Sequence, residues 1–170
     1  MEDGDEYGDE SCLMGNSYGN IRSPRMCFNG AKFWQLGWYP NHRISLNPAR
    51  DGPWRGSLVG FVDVASVPAN DPNTVVLVQV ADLYLLQNRK ISFNSDSVGH
   101  GNQVTVARAP SLSGKSDLLE GLRPSVPIIT VGDYDHLCQS SLWMLPWMDL
   151  CAHLSLRFVS ELSQISSHTS

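Results

Sequence analysis

Two patterns of hydrophobic and polar residues predict a short helix followed by a region of strands. Asn29 is a good N-cap for a helix over residues 31–36, and Gly37 is a natural stop after it. Beyond Pro40 the pattern changes to short segments rich in β-branched residues, separated by turn residues. The predicted strands are residues 43–46, 57–64, 74–80, 82–88 and 103–108. Because no long helix separates them, they favour an antiparallel sandwich or a small barrel-like sheet.

The second half of the chain is predicted to be helical in two places. Ser116 or Asp117 can cap a helical turn over residues 118–120, and residues 128–131 have the composition of a strand. An amphipathic helix is predicted from apolar residues that recur every three positions, namely Leu156, Val159, Leu162 and Ile165. Residues 136–170 are therefore expected to form a partly helical tail.

Composition allows a packed core and disfavours a nucleic-acid partner. Hydrophobic residues make up 42% of the 170 residues, and the formal net charge is −5. The Lys and Arg residues are scattered, whereas a nucleic-acid-binding surface needs a basic face. The longest apolar stretch, Leu142 to Leu154, contains polar residues and a proline and is too short for a membrane span. No signal-peptide pattern follows Met1.

The residues that usually carry catalysis or bind metals do not form a motif. No His-Glu-x-x-His sequence occurs, and no two histidines have the spacing that places both on one helix face. A cluster of histidines in space stays open, but we expect solvated loop positions for His42, His100, His136, His153 and His168. The acids Glu6, Asp9 and Glu10 are expected to be solvated loop acids and turn caps. The sequence therefore assigns neither a catalytic residue nor a metal ligand.

The cysteines leave two alternatives open. They are Cys12, Cys27, Cys138 and Cys151, and no two have the Cys-x-x-Cys spacing of a zinc knuckle or ribbon. Cys12 and Cys27 would close a loop of moderate length, so they are a candidate disulfide pair in an oxidising compartment. The alternative is that both are buried thiols.

Two segments near the N-terminus carry the most distinctive pattern. Residues 6–15 read EYGDESCLMG, and residues 26–39 read MCFNGAKFWQLGWY. They resemble the gametolysin family of zinc metallopeptidases, within the metzincin group. In that family an EYGDxSxxMG segment follows the zinc-binding helix, and a CFNAxKxWQLGWY segment ends the catalytic domain. Aromatic-rich strings in this order do not arise from generic amphipathic patterning, so the similarity is specific.

Weaker similarity to the same family continues along the chain. Residues 82–94, 102–106 and 116–122 resemble two strands and a helix of the family, in the same order. Ser92 stands where the family usually has glycine, which puts the turn geometry at that position in question. After Asp135 the similarity ends.

The resemblance implies a fold class and a division into three regions. The fold would be α+β to mainly β: the end of a metzincin catalytic domain, with a Met-turn loop and a short helix, followed by an antiparallel β-sandwich-like domain. Residues 1–39 would be the remnant of the catalytic domain, residues 40–135 the β-rich domain and residues 136–170 the tail. Met14 would be the Met-turn methionine, an apolar support beneath the zinc site that does not bind the metal. The alternative for Met14 is a core methionine in a loop.

The same resemblance implies a function and its limits. The family's His-Glu-x-x-His-x-x-Gly-x-x-His helix, which holds zinc and supplies the general base, would precede Glu6 and does not occur here. We therefore expect a fragment of a secreted, extracellular zinc metalloendopeptidase, without zinc or activity of its own. Its substrates would be proteins or glycoproteins of the extracellular matrix or cell wall. The N-terminal forty residues are expected either to be loosely held or to dock onto the β-rich part.

An alternative function is a non-catalytic β-sandwich module that binds cell-wall or matrix material. Trp54 and Tyr84 would be its candidate surface platforms, although such residues are more often buried. Genomic sequence just upstream of Met1 would separate the two functions, because only the peptidase needs the zinc-binding helix there. The sequence leaves the oligomeric state, the substrate and the cleavage preference open.

Overall fold

A computed structural model describes residues 9–15, 25–51, 54–68, 71–122, 129–131, 137–143 and 151–159. These residues form a mixed α+β fold in which strands predominate and most strand pairs are antiparallel. The helices are α1 (Gly30–Gln35) and α2 (Pro48–Asp51), with 3₁₀ helices at Phe61–Ser66 and Ser92–Asn94. The strands are β1 (Arg43–Leu46), β2 (Trp54–Val59), β3 (Thr74–Val75), β4 (Leu77–Val80), β5 (Leu83–Asn88), β6 (Gln103–Arg108), β7 (Asp117–Leu122), β8 (Ile129–Val131), β9 (Leu137–Trp143) and β10 (Cys151–Val159).

The strands form two five-stranded sheets. The first sheet has the order β1-β4-β5-β6-β7, and the second has the order β3-β2-β10-β9-β8. Two pairs are parallel, β1 with β4 and β2 with β3, because the chain leaves and re-enters each sheet through a connection instead of a hairpin. The antiparallel arrangement predicted from the sequence is therefore confirmed for the other strand pairs, but it does not hold at these two.

Both faces of the first sheet are covered, which explains why every residue of β5 is buried. Side chains alternate between the faces of a strand, so Leu83 and Leu85 point towards the second sheet, whereas Tyr84 and Leu86 point towards α1. We call the first face the inter-sheet core; it also contains Leu46, Leu58, Val75, Val78, Val80, Val104, Val106 and Leu122. We call the second face the helix-side core; it also contains Ala31, Phe33, Phe61, Val76, Leu77, Ala107 and Ala109.

Helix α1 begins and ends where local sequence signals predict. The Asn29 side chain accepts a hydrogen bond from the Lys32 N–H at 2.9 Å, and Gly37 follows the helix with φ 72°. Phe33 is fully buried, and the centroid of its ring lies 5.1 Å from that of Phe61. Burial of a phenylalanine of this kind contributes roughly 1.5–3 kcal/mol. Of the two arrangements expected for the N-terminal part, its described residues 9–15 and 25–39 show docking onto the β-rich part.

Two helices predicted in the second half of the chain are strands. The turn expected over residues 118–120 lies in β7, which pairs with β6 and buries Leu118 and Leu122. The amphipathic helix expected from Leu156 onward is wrong where it is described, since Cys151–Val159 is β10 and pairs with both β2 and β9. In both places hydrogen bonding to a neighbouring strand overrides a local preference for helix. Leu162 and Ile165 lie outside the described residues.

The remaining predicted strands are confirmed with shifted bounds. Those at 43–46 and 103–108 match β1 and β6, and that at 82–88 begins one residue later, as β5. The strand predicted at 74–80 is divided at Val76 into β3 and β4, which belong to different sheets. The strand predicted at 57–64 is shifted to β2, because Phe61–Ser66 turns into a 3₁₀ helix. The boundaries proposed for the three regions stay a prediction.

Candidate functional site

An open cleft lies where the loop of residues 9–15 meets α1 and the loop before β7. Its volume is about 390 Å³, near the lower end of the range for small-molecule sites. It is lined by Asp9, Cys12, Met14, Gly15, Lys32, Gly114, Lys115 and Ser116. We call it the Met14 cleft. Three segments that are distant in the sequence therefore build one surface.

Asp9 is the buried anion of the Met14 cleft. Its side chain is 7% exposed, so the solvated loop position expected from the sequence is wrong. One carboxylate oxygen accepts hydrogen bonds from the Ser11 N–H at 2.9 Å and the Ser11 hydroxyl at 2.6 Å. The other accepts from the Asn29 amide at 2.5 Å. The expectation of a turn cap is confirmed, and the donors offset the cost of burying the charge.

Asn29 joins the three segments that line the cleft. Besides Asp9, its amide nitrogen donates to the Ser116 hydroxyl at 2.9 Å, and its amide oxygen caps α1. The residue is 2% exposed. Sequence reasoning found the cap, because capping is local, and missed the other two contacts, because no sequence signal links residues so far apart. One amide therefore fixes helix, N-terminal loop and β7 loop together.

The loop of residues 9–15 is a tight turn that needs glycine. The Gly15 N–H donates to the Cys12 carbonyl at 2.9 Å. A Cβ atom at Gly15 would lie 1.8 Å from the carbonyl oxygen of Asp9, far inside any contact distance. The chain can therefore turn back on itself here only because the side chain is missing.

Met14 lies at the surface of the cleft, with 58% of its side chain exposed. It is not a core methionine, which was one of the two alternatives. A thioether exposed in this way offers an apolar surface that another group can cover.

The side chains of the Met14 cleft do not fit a zinc site. Zinc in proteins prefers three or four histidine, cysteinate or carboxylate ligands, and no such group of three or more occurs within the described residues. Both oxygens of Asp9 already accept hydrogen bonds. Burial raises the pKa of the Cys12 thiol, while hydrogen bonds from the backbone of Met14 and Asn29 act in the opposite direction. We therefore assign no zinc ligand to this cleft.

Cys12 and Cys27 are both thiols in the structure. They lie on adjacent segments, since the Leu13 N–H donates to the Cys27 carbonyl at 2.8 Å. Their surroundings differ: Cys12 lines the cleft, whereas Cys27 packs against the helix-side core. Burial also raises the pKa of Cys27. The disulfide between them stays a prediction.

A second buried network ties the N-terminal part to the loop between β5 and β6. The Asn94 amide donates to the Asn88 amide oxygen at 2.7 Å and accepts from the Cys27 N–H at 3.1 Å. Two further contacts join the same regions: the Gly99 N–H donates to the Glu10 carbonyl at 3.0 Å, and the Asp96 carboxylate accepts from the Arg25 N–H at 2.8 Å. Asn88 and Asn94 are therefore structural residues.

Ser92 lies in the same loop with an unfavourable backbone conformation. Its φ is 54°, in the left-handed region that glycine adopts most easily. This is the position where the gametolysin family usually has glycine. Ser92 adopts this left-handed conformation in spite of its Cβ atom, so the serine is strained there.

The two aromatic residues named as candidate platforms for a binding module are buried or half-buried, which is the alternative that the sequence favoured for each. Tyr84 is 2% exposed, and Trp54 packs against the inter-sheet core. The exposed aromatic side chains in the described part of the chain are instead Trp38 and Phe93, at 40% and 48%. No pattern in the sequence distinguishes these two from the buried rings around them.

Comparisons of the chain with protein family models, with curated proteins and with solved structures found no match. The resemblance to gametolysin therefore stays an expectation from sequence motifs. Across the described ranges, no helix combines the length and the apolar character that crossing a bilayer requires.

Proposed function

We propose that this chain belongs to a secreted zinc metalloendopeptidase of the gametolysin type, and that it forms the part that follows the zinc-binding helix. Its substrates would be proteins or glycoproteins of the extracellular matrix or cell wall. The zinc ligands and the general base would come from residues outside these 170, so the chain alone does not hydrolyse peptides. A metal-activated water and a carboxylate base are both needed for that reaction.

One observation carries the proposal: segments that resemble the family separately are hydrogen-bonded to one another. Asp9 of the first segment contacts Asn29 of the second at 2.5 Å. Cys27 of the second contacts Asn94 of the third at 3.1 Å. Chance similarities at three places in a chain have no reason to be neighbours in space. The motif residues are also the buried polar residues on which the docking depends.

The position of Met14 agrees with the proposal. A Met-turn methionine needs an apolar face directed away from its own loop, and more than half of Met14 is exposed on the wall of an open cleft. Gly15 and Asp9 hold the turn that presents it. The loop therefore has a fixed shape before anything covers it.

The test compares two proteins. The transcript upstream of Met1 is sequenced, and the 170-residue chain is expressed with and without any in-frame His-Glu-x-x-His-x-x-Gly-x-x-His segment found there. We expect the extended protein to cleave a matrix protein, to lose activity with a chelator and to regain it with zinc. Its control replaces the glutamate of that motif by glutamine. Absence of the motif, or chelator-sensitive cleavage by the 170-residue chain, would refute the proposal.

A second candidate function is a non-catalytic module that binds wall or matrix material. Two exposed aromatic rings that pack against buried rings support this function. The ring centroids of Trp38 and Phe33 are 5.1 Å apart, and those of Phe93 and Phe61 are 5.8 Å apart. Rigid exposed aromatics are suitable contact surfaces. The chain would be retained on insoluble wall or matrix material, and Trp38→Ala with Phe93→Ala would release it. Leu112→Ala, at a residue 70% exposed, is the matched control. Equal retention of all forms would exclude this function for these rings.

A further inference from the structure

The sequence contains one Asn-Gly pair, Asn29-Gly30. An asparagine before glycine is the combination most prone to deamidation, because the missing side chain lets the next backbone nitrogen reach the asparagine amide. In an unfolded chain this pair therefore reacts faster than the other asparagines. Because Asn29 joins three segments through hydrogen bonds, deamidation there would affect how these segments pack together.

The folded structure holds Asn29 away from this reaction. Its amide nitrogen donates to Asp9 and Ser116, and its amide oxygen accepts from Lys32. Its backbone carbonyl accepts from Phe33 at 3.0 Å. The residue is 2% exposed, with ψ 174°. Ring closure requires the amide to leave its partners and rotate, so the docked loop has to open first.

We propose that Asn29 is a deamidation site that the fold protects, and that its conversion to aspartate prevents residues 9–15 from docking again. The Gly30 backbone nitrogen attacks the Asn29 side-chain carbon, the C–N bond of the amide breaks and ammonia leaves. The resulting succinimide is hydrolysed by water to aspartate or isoaspartate. No oxidant or other reactant is needed.

Aspartate at position 29 differs from asparagine in its contact with Asp9. A carboxylate at position 29 cannot donate to Asp9, and it places a second negative charge where the amide nitrogen was 2.5 Å from the Asp9 oxygen. Aspartate is still a good N-cap, so α1 itself is not the element that fails. If residues 9–15 no longer dock, the Met14 cleft loses one of its walls.

The experiment measures deamidation of the full chain by peptide mapping, at neutral pH in buffer and in urea. We expect Asn29 to react in urea faster than Asn73 and Asn102, and to react at least about tenfold more slowly in the folded chain. Ser116→Ala removes one partner of the amide and should raise the folded rate about fivefold, with no change in urea. Ser66→Ala, at an exposed serine of a 3₁₀ helix, is the control.

Three outcomes would overturn the proposal. Equal rates in buffer and in urea would show that the fold gives no protection. A deamidation rate of Asn29 in urea that is no higher than that of Asn73 would show that Asn29 is not a preferred deamidation site. Purified deamidated chain that resists limited proteolysis within residues 9–15 as well as fresh chain does would show that docking survives the change. Deamidation is measured on the chain itself, so these results are independent of any peptidase activity.

Discussion

Replacing Ser92 by glycine is expected to stabilise the protein. Ser92 has φ 54°, and this left-handed conformation costs a residue with a Cβ atom roughly 1–2 kcal/mol. Glycine removes that cost, but it adds about 0.5–1 kcal/mol of conformational entropy to the unfolded chain. The side chain of Ser92 is exposed, so little packing is lost. The net expectation is a gain of about 0.5–1 kcal/mol in the free energy of unfolding.

Urea denaturation measures this gain. With the usual dependence of the unfolding free energy on urea, the midpoint should rise by roughly 0.4 M. The matched control is Ser95→Gly, three residues later, because Ser95 has φ −64°. There glycine brings the entropy cost and also removes the hydrogen bond from the Ser95 hydroxyl to the Asp96 carboxylate at 3.2 Å, so stability should fall by at least about 0.5–1 kcal/mol. If both variants lose stability to a similar extent, Ser92 does not have the left-handed conformation and the reasoning fails.

Three further predictions concern the Met14 cleft. Gly15→Ala should cost at least about 2 kcal/mol, measured by thermal unfolding, because its Cβ would lie 1.8 Å from the Asp9 carbonyl oxygen; an unchanged midpoint would contradict the turn. Asn29→Asp should destabilise the chain at neutral pH and recover part of the loss as the pH falls, because the two carboxylates then share a proton and the folded pKa of one is raised. A loss of stability that does not depend on pH would argue against close contact between the two carboxylates. Cys12 should react with iodoacetamide far more slowly in the folded than in the unfolded chain, because burial raises the pKa of its thiol. That raised pKa contributes stability below the ordinary thiol pKa, which is lost as the pH rises towards the folded value. Equal labelling rates would show that Cys12 is accessible.

Local elements were predictable because their signals lie within a few residues. Asn29 caps α1 through the Lys32 N–H, three residues away, and Gly37 ends the same helix. The apolar and β-branched residues of β6 likewise mark a strand without reference to its neighbours. In these cases the sequence predicts the element, since the interactions that form it are themselves local.

Elements that depend on distant partners were not predictable in the same way. Leu118 and Leu119 fit a helix as well as a strand, and pairing with β6 decides in favour of β7. The candidate site was harder still to predict, because its contacts join residues that are far apart in the sequence. Asp9 and Ser116 meet only through Asn29, across separations of 20 and 87 residues. Sequence reasoning placed Asp9 in solvent and gave Ser116 only as a possible helix cap, so it predicted no contact of either residue with Asn29.

The long-range contacts of the N-terminal part have a consequence for biosynthesis. Arg25, Cys27 and Asn29 contact residues that follow them by 71, 67 and 87 positions. A ribosome makes the N-terminal residues first, so they leave the exit tunnel well before their partners exist. The aromatic side chains of α1, Phe33 in particular, are therefore exposed to solvent until the first sheet has been synthesised and can bury them. Nascent chains that end before Asn94 are the species in which these rings are most available to chaperones or to other unfinished chains.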